Sequence, residues 1–177
     1  MALTAVREVT AENRADFERL FAAKGAPHYC WCTPYRLVGN EHLTSEERRD
    51  AMLALVDRGV PVGVLGYEGD APVGWCSIAP RETYAKLARS RTMPRETPED
   101  VPTWTVLCFY VPRPRRGEGL TLALLDGAVR IARERGAAVV EGYPFDTAGI
   151  SSTHRGHSSV FGAAGFVQDG RRWAIEL

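Results

Sequence analysis

A glycine-rich turn preceded by arginines is the part of the sequence best suited to hold an anion. The basic run Arg113-Pro-Arg-Arg116 leads into Gly117-Glu-Gly119, and a long amphipathic stretch follows. Backbone N–H groups in the first turn of a helix have no partner within the helix, and the helix dipole favours negative charge there. Glycine admits a phosphate close to those groups, and arginine adds planar cationic donors. The turn is therefore predicted to cradle a phosphate.

The composition limits the kind of protein to which this cradle can belong. The chain has 177 residues, 45% of them hydrophobic, which predicts one domain with a continuous core. Lys plus Arg and Asp plus Glu both number 22, so no net charge favours nucleic acid as a partner. The sequence shows no signal peptide and no apolar run of about 18 residues. It therefore predicts a cytoplasmic protein without a membrane partner.

The order of predicted elements indicates how the cradle is positioned. Predicted strands cover 3–9, 62–67, 73–79, 103–111 and 137–143, and a hairpin covers 166–177. Helices are predicted after Thr10, after Thr44 in a capping box with Glu47, and over 118–135, with short ones at 84–90 and 158–164. Leu55 is expected on the inner face of the second helix with Met52 and Val56. The segment 92–102 is expected to be an exposed loop.

These elements predict an α/β fold in a single domain over 1–177. A strand, a helix and a strand in succession usually form a right-handed parallel crossover. The hairpins on either side add antiparallel pairs. We therefore expect a single mixed, mostly antiparallel sheet with a central parallel βαβ crossover, flanked by helices.

The element order and the cradle together resemble the GNAT superfamily of N-acetyltransferases. The resemblance lies in Arg116-Gly-Glu-Gly-Leu-Thr121, the strand 139–143, and Ala164-Gly-Phe166. The family signature has Arg or Gln, two residues, Gly, one residue, then Gly or Ala. Arg116 and Gly119 match it, but Thr121 takes the last position. Phe161 stands where many members have a tyrosine that donates a proton to the departing CoA thiolate.

The resemblance implies acetyl-CoA as the acetyl donor and assigns residues to it. The strand end would pair with the pantetheine amides, the turn would hold the pyrophosphate, and Phe161 would lie near the thiol. Glu118 is expected to point outward from the turn. The implied donor-binding residues are Phe109, Tyr110, Val111, Arg113, Arg116, Gly117, Glu118, Gly119, Leu120, Thr121 and Phe161.

The chemistry of acetyl transfer to an amine suggests catalytic candidates. Deprotonating an alkylammonium at pH 7 costs about 4 to 5 kcal/mol, so a base should assist. Glu141 and Tyr143 share one face of their strand, where the two parallel strands of the family diverge. Glu141 is a candidate base and Tyr143 a candidate acid, with ion pairing and packing as their structural alternatives. His157 and His154 are candidates for a proton relay and for the acceptor pocket.

The aromatic segment 27–36 is the candidate acceptor-binding region. Tyr29, Trp31 and Tyr35 could hold a substrate by stacking, and Arg36 could pair with a carboxylate. The alternative is that Trp31 and Tyr35 close the core over the sheet.

The cysteines suggest two further roles, neither of which we favour. If the chain is extended at 28–32, His28, Cys30 and Cys32 point the same way, as metal ligands would. A fourth ligand with paired spacing is absent, so no metal is expected. Cys108 could carry an acetyl group, but core packing is the favoured role. All four cysteines are expected to be reduced.

The sequence thus predicts an N-acetyltransferase that moves acetyl from acetyl-CoA directly to a small-molecule amine in a ternary complex. One alternative is acetylation of a protein N-terminus or lysine. Another is a non-catalytic acyl-CoA sensor. A homodimer is compatible with the resemblance.

Overall fold

The computed structural model describes residues 2–146 and 153–177 and shows one mixed sheet between two layers of helices. Within these ranges, seven strands lie in the order β1-β2-β3-β4-β5-β7-β6, and all neighbouring pairs are antiparallel except β4 and β5. The predicted fold class and its parallel crossover are confirmed. The strands are β1 (Ala5–Glu8), β2 (Val64–Glu68), β3 (Ala71–Pro80), β4 (Thr103–Tyr110), β5 (Val139–Gly142), β6 (Val167–Asp169) and β7 (Arg172–Glu176).

In the described part of the chain, four α-helices cover the sheet: α1 (Arg14–Ala22), α2 (Ser45–Asp57), α3 (Leu120–Glu134) and α4 (Ser158–Ala163). The predicted capping box is confirmed, since Thr44 and Glu47 bond each other's backbone N–H at the start of α2. Short 3₁₀ helices cover Arg81–Thr83 and Ala85–Arg89, in place of the single short helix expected at 84–90. None of the described helices is long and apolar enough to cross a membrane.

Each face of the sheet has its own core. Helices α3 and α4 bury Leu124, Ala128 and Phe161 against side chains such as Val106 on one face. Helices α1 and α2 bury Phe17 and other aromatic side chains on the opposite face. Because successive strand residues alternate between faces, β4 contributes to both cores, with Val106 in the first and Tyr110 in the second.

One predicted helix boundary was wrong. Helix α1 begins at Arg14 and not directly after Thr10, because the Asn13 side chain accepts the Thr10 N–H at 2.8 Å and donates to the Glu8 carbonyl at 3.0 Å. Those bonds hold a turn ahead of the helix. In α2, Leu55 is partly buried and packs against the core that contains Met52 and Val56, and Leu53 is buried there as well.

Candidate active site

The site begins where β4 and β5 part. Their parallel pairing runs from Thr103 opposite Val139 to Val106 opposite Gly142, and β4 then continues alone to Tyr110. At the same point, the register between β3 and β4 slips, leaving Leu107 as an extra residue in β4. A bulge bends its strand and increases the local twist. The divergence leaves the end of β4 with an unpaired edge facing β5 in the described part of the chain.

The glycine turn joins this unpaired strand end to α3. Gly117 and Gly119 adopt φ values of 84° and 79°, a region that side chains disfavour, and a Cβ at either position would meet no atom within 4 Å. Open space therefore lies in front of the turn. Gly119 is the N-cap of α3, so the first helical turn, whose N–H groups have no partner within the helix, begins beside these two exposed glycines. The geometry is that of an anion-binding helix start.

The arginines near the turn divide into two groups. Arg115 is held by Glu68 at 2.7 Å and Glu118 at 2.9 Å, so its charge is neutralised locally. Glu118 thereby points to Arg115, and the bond lowers the pKa of its carboxyl. Arg116 donates its Nε to the Val111 carbonyl at 3.1 Å, and Arg113 is exposed. Arg113 and Arg116 make no ion pair with the described residues, which leaves two positive charges beside the turn.

Phe161 forms the wall of the gap on the α4 side. It is 0% exposed, and its ring lies 6.2 Å from that of Phe109 and 5.0 Å from that of Phe166. Its edge lies against Gly142, and Gly156 brings a loop backbone against the same two rings, Phe109 and Phe161. An apolar ring thus occupies the position where the family resemblance leads us to expect a tyrosine.

We expect Gly142→Ala to lower the free energy of unfolding by about 1 to 3 kcal/mol, which is the usual cost of overpacking a filled core. A Cβ at this position would overlap the Phe161 ring. Chemical denaturation of variant and wild type measures the difference. Phe161→Leu should restore part of the loss in the double variant, and a loss that is fully additive would contradict the proposed clash.

Glu141 lies at the centre of a buried charge network. Its side chain is 0% exposed, and one carboxylate oxygen accepts hydrogen bonds from Arg81 and from Thr105, the latter at 3.0 Å. The other oxygen accepts the Nε of Arg172 at 2.7 Å. Two guanidinium groups stabilise the ionised carboxylate. These contacts match the ion-pairing alternative for Glu141 and leave its carboxylate enclosed by protein.

Tyr143 belongs to the same network, as its position on the Glu141 face predicted. Arg81 donates to the Tyr143 hydroxyl at 3.3 Å, and that hydroxyl donates to the Pro94 carbonyl at 3.2 Å. Burial and then the charge of Glu141 raise the pKa of Tyr143 to about 12, so the phenol keeps its proton at neutral pH. The loop 92–102, expected to be merely exposed, thus supplies a backbone acceptor to the site.

Sequence reasoning missed the arginines of this network. Arg81 follows β3, Arg172 begins β7, and Glu141 lies in β5. No spacing pattern links residues that are 31 and 60 positions apart. A weak signal was available, because a carboxylate in a strand buried on both faces requires a cationic partner.

The aromatic segment 27–36 contributes both to the core and to the surface. Trp31 is 4% exposed, stacks on Phe21 with centroids 5.6 Å apart, and donates its indole N–H to Ser45 at 3.1 Å. Arg36 is 5% exposed and lies over the Tyr84 ring at 4.3 Å. The structure therefore buries both side chains in the core. The burial of Trp31 agrees with the alternative that this side chain closes the core over the sheet. The guanidinium of Arg36 is enclosed by other groups of the protein.

The two tyrosines of the segment lie nearer to the surface. Tyr29 is 72% exposed, and Cys108 of β4 is among its electrostatic neighbours. Tyr35 packs partly buried against the cluster that contains Leu107 and Tyr143, and Arg155 is close enough to influence its pKa. The structure thus brings Tyr29 and Tyr35 to the opposite face of β4 from Phe109 and Phe161.

The two histidines flank the start of α4. His157 is its exposed N-cap, with Nδ1 3.7 Å from a carboxylate oxygen of Asp146. Asp146 also accepts the Ser158 N–H at 2.8 Å, and the bonds from Ser158 lower its pKa. His154 is partly buried in the 3₁₀ helix Thr153–Arg155, which contacts β4.

The chain is not extended at 28–32, so the alternation of His28, Cys30 and Cys32 that a metal site would need does not occur. Trp31 and Cys32 adopt positive φ values of 46° and 57° within consecutive turns. Among the described residues, no group of three or more His, Cys, Asp or Glu side chains is arranged to hold a metal ion.

A cleft of about 460 Å³ opens at the other end of the sheet. It is lined by residues at the start of β4 and the end of α3, including Thr103 and Gly136. The glycine turn lies at the opposite ends of both elements, so this cleft is separate from the candidate site.

Comparison with solved structures finds the same fold in several acetyltransferases. The aminoglycoside acetyltransferase AAC(6')-Ib in complex with paromomycin and acetyl-CoA has a TM-score of 0.65 and 14% identity, over 99% of this chain and 94% of that one. A GNAT acetyltransferase from Brucella melitensis in complex with acetyl-CoA has a TM-score of 0.51 and 11% identity, over 98% and 87%. The ribosomal-protein-alanine N-acetyltransferase of that organism has a TM-score of 0.54 and 17% identity, over 98% and 99%.

Sequence comparison gives the family directly. No curated protein matches the chain significantly. The family model described as "Acetyltransferase (GNAT) family" matches residues 17–143, which include the divergence of β4 and β5 and the glycine turn. This match covers most of the chain and coincides with the elements that build the site. The protein therefore belongs to the GNAT family of acetyltransferases.

Proposed function

We propose that this protein transfers acetyl from acetyl-CoA directly to the amine of a small-molecule acceptor in a ternary complex in the cytoplasm. The observation that carries the proposal is the continuity of the unpaired end of β4 with the glycine turn at the start of α3. Family membership supports acetyl transfer, and two structural neighbours are complexes with acetyl-CoA.

The chain offers a complementary surface to each part of the donor. Backbone N–H groups over 117–121 would bind the pyrophosphate, with Arg113 and Arg116 adding positive charge. The backbone of Phe109, Tyr110 and Val111 would pair with the pantetheine amides as a neighbouring strand does. When bound, acetyl-CoA supplies an acyl thioester that is activated for attack by an amine. Phe161 would exclude water from that end of the gap.

The acceptor would enter from the opposite face of β4, beside Tyr29, Tyr35 and His154. We propose that Trp31 and Arg36 act on acceptor binding indirectly. Their buried side chains would fix the position of the segment that carries Tyr29 and Tyr35. The chain has balanced charge, so no net acidic field attracts a basic protein tail. This favours a small molecule over a protein acceptor.

The contacts of the buried network support separate roles for the catalytic candidates. We place Glu141 as a positioning residue, because both of its oxygens are occupied by Arg81, Thr105 and Arg172. Tyr143 keeps its proton and would donate it toward the departing thiolate. His157, exposed and close to Asp146, would pass the ammonium proton to water.

We expect Tyr143→Phe to lower kcat about 10- to 100-fold with little change in the affinity for acetyl-CoA, since general acid catalysis commonly contributes at least this much. Steady-state kinetics and calorimetric titration with CoA separate the two quantities. Tyr67→Phe is the matched control, because the Tyr67 hydroxyl bonds Asp16 far from the site. Equal turnover of Tyr143→Phe and wild type would remove Tyr143 from the mechanism.

Two other functions are distinguishable from this one. The likeness to a ribosomal-protein-alanine N-acetyltransferase keeps protein acetylation as a second candidate. Phe161 and Thr121 depart from the family pattern. For this reason a non-catalytic acyl-CoA sensor is kept as a third candidate function. A homodimer is also proposed, and light scattering would measure it.

The deciding experiment incubates the protein with acetyl-CoA and a library of small amines, peptides and lysine-containing proteins. A thiol reagent reports release of CoA, and mass spectrometry reports the acetylated acceptor. Release of CoA with a small amine supports the proposal. Acetylation of peptides alone would establish protein acetylation, and binding without release would indicate a sensor.

A further inference from the structure

Arg155 places a cation beside the side chains that support the acceptor region. It ends the 3₁₀ helix that precedes α4, and it is partly buried. Its guanidinium carbon lies 5.0 Å from the centroid of the Phe145 ring, and its Nη1 lies 4.0 Å from the Met93 sulfur. Met93 belongs to the buried cluster that contains Tyr143, and Tyr35 packs against the same cluster. Arg155 thus borders the region where we expect the acceptor to enter.

The backbone next to Arg155 is fixed against the wall of the gap between β4 and β5. Phe145 donates its backbone N–H to the Gly156 carbonyl at 3.0 Å. Gly156 has φ of 83°, and a Cβ there would lie 3.0 Å from the Phe109 ring and 3.2 Å from the Phe161 ring. Arg155 is therefore one residue away from the rings that line the gap, and its position is set by that packing.

The guanidinium of Arg155 has no strong hydrogen-bond acceptor among the described residues. Its Nε is buried without a partner, and the contact of its Nη1 is to a thioether sulfur, which is a weak acceptor. The nearest acidic residue along the chain, Asp146, accepts the Ser158 N–H at 2.8 Å. No described carboxylate forms an ion pair with Arg155, and the remaining residues, 1 and 147–152, include no Asp or Glu.

A partly buried guanidinium without an anionic partner is unfavourable, because burial removes water that would compensate the charge. The contact with the Phe145 ring recovers only part of the lost hydration. An anion that binds beside the ring would supply the missing partner.

The free donors of Arg155 suit a single carboxylate. A guanidinium presents parallel N–H groups that match the two oxygens of a carboxylate. One uncompensated positive charge balances one negative charge, whereas a phosphate monoester carries about −1.5 to −2 at pH 7 and would need a second cation. The neighbouring arginines are already engaged within the protein, since Arg81 pairs with Glu141 and Arg36 bonds Ser77.

We propose that Arg155 determines acceptor specificity by pairing with a carboxylate, so that the acceptor is a small amine that also carries a carboxylate. This inference rests on the proposed acetyl transfer, because it names the class of acceptor for that reaction. The carboxylate would bind the guanidinium, and the amine would extend toward the end of β4. Arg36 was the residue expected to pair with a carboxylate, but its side chain is buried in the core.

The test measures the binding of matched acids and amides, which requires no turnover. Calorimetric titration in the presence of CoA compares β-alanine and the standard L-amino acids with their carboxamides and with phosphoethanolamine. We expect at least one acid to bind, and its carboxamide to bind at least tenfold more weakly. If the bound acid then released no CoA from acetyl-CoA, the acetyl transfer would fail while the recognition of the carboxylate held.

Variants of Arg155 assign the preference to this side chain. Arg155→Gln should reduce the ratio of acid to amide affinity to below about threefold, because a neutral amide forms no ion pair. Arg155→Lys should keep a smaller preference for the acid, since the charge remains but the paired donors are lost. Arg58→Gln is the matched control and should keep the wild-type ratio, because Arg58 is exposed at the end of α2, beside the end of α3.

The wild-type titrations decide the matter even if a variant fails to fold. Carboxamides that bind as tightly as the acids, or tighter binding of phosphoethanolamine, would overturn the proposal. A panel in which no acid binds would overturn it as well. A preference for acids that survives in Arg155→Gln would overturn the role of Arg155.

Discussion

Glu141→Gln is expected to lower the free energy of unfolding by about 3 to 5 kcal/mol, because it removes the negative charge that pairs with the guanidinium groups of buried Arg81 and partly buried Arg172. Arg81 is 4% exposed and cannot regain water contacts in the folded state. Denaturant unfolding monitored by tryptophan fluorescence would measure the loss.

A matched control is available on the surface of the same protein. Arg130 and Glu134 form an exposed pair at 2.9 Å along α3, and Glu134→Gln should cost less than about 1 kcal/mol. The double variant Arg81→Met/Glu141→Gln should lose less stability than the sum of its single variants, since the unpaired charge is gone.

The same experiment separates the two roles considered for Glu141. A structural ion pair predicts a large loss of stability. A catalytic base predicts a variant that is as stable as the wild type but inactive with the acceptor. A stability loss under about 1 kcal/mol would contradict the positioning role that we propose.

Gly119→Ala is expected to weaken CoA binding at least tenfold, which corresponds to about 1.4 kcal/mol. A methyl group at this position would project into the open space in front of α3 and would strain a backbone with φ of 79°. Both effects act on the N–H groups that we expect to bind the pyrophosphate. Calorimetric titration with CoA would measure the affinity.

Gly170→Ala is the matched control for this substitution. Gly170 also has positive φ and open space around it, but it lies in the turn between β6 and β7. It should lose a similar amount of stability and keep wild-type affinity for CoA. If the two variants bound CoA equally well, the glycine turn would not be the pyrophosphate site.

Local patterns predicted the parts of the molecule that depend on neighbours in the chain. The capping box at Thr44, the glycine turn and the end of α3 at Gly136 were readable because caps and turns are made by residues a few positions apart. The mixed sheet followed from the order of the elements and the handedness of crossovers. The start of α1 was predicted wrongly, because Thr10 and Asn13 are both suitable residues to precede a helix. The Asn13 side chain accepts the Thr10 N–H, and the helix begins after Asn13.

The sequence by itself therefore determined the sheet, the parallel crossover and the glycine turn, because periodicity, caps and glycine conformations are local properties. Only the tertiary structure decided which side chains meet. It enclosed Glu141 between Arg81 and Arg172 and placed Trp31 and Arg36 in the core. These residues lie tens of positions apart, and their contacts depend on strand register and on the bulge in β4, neither of which leaves a pattern in the spacing of residues along the chain.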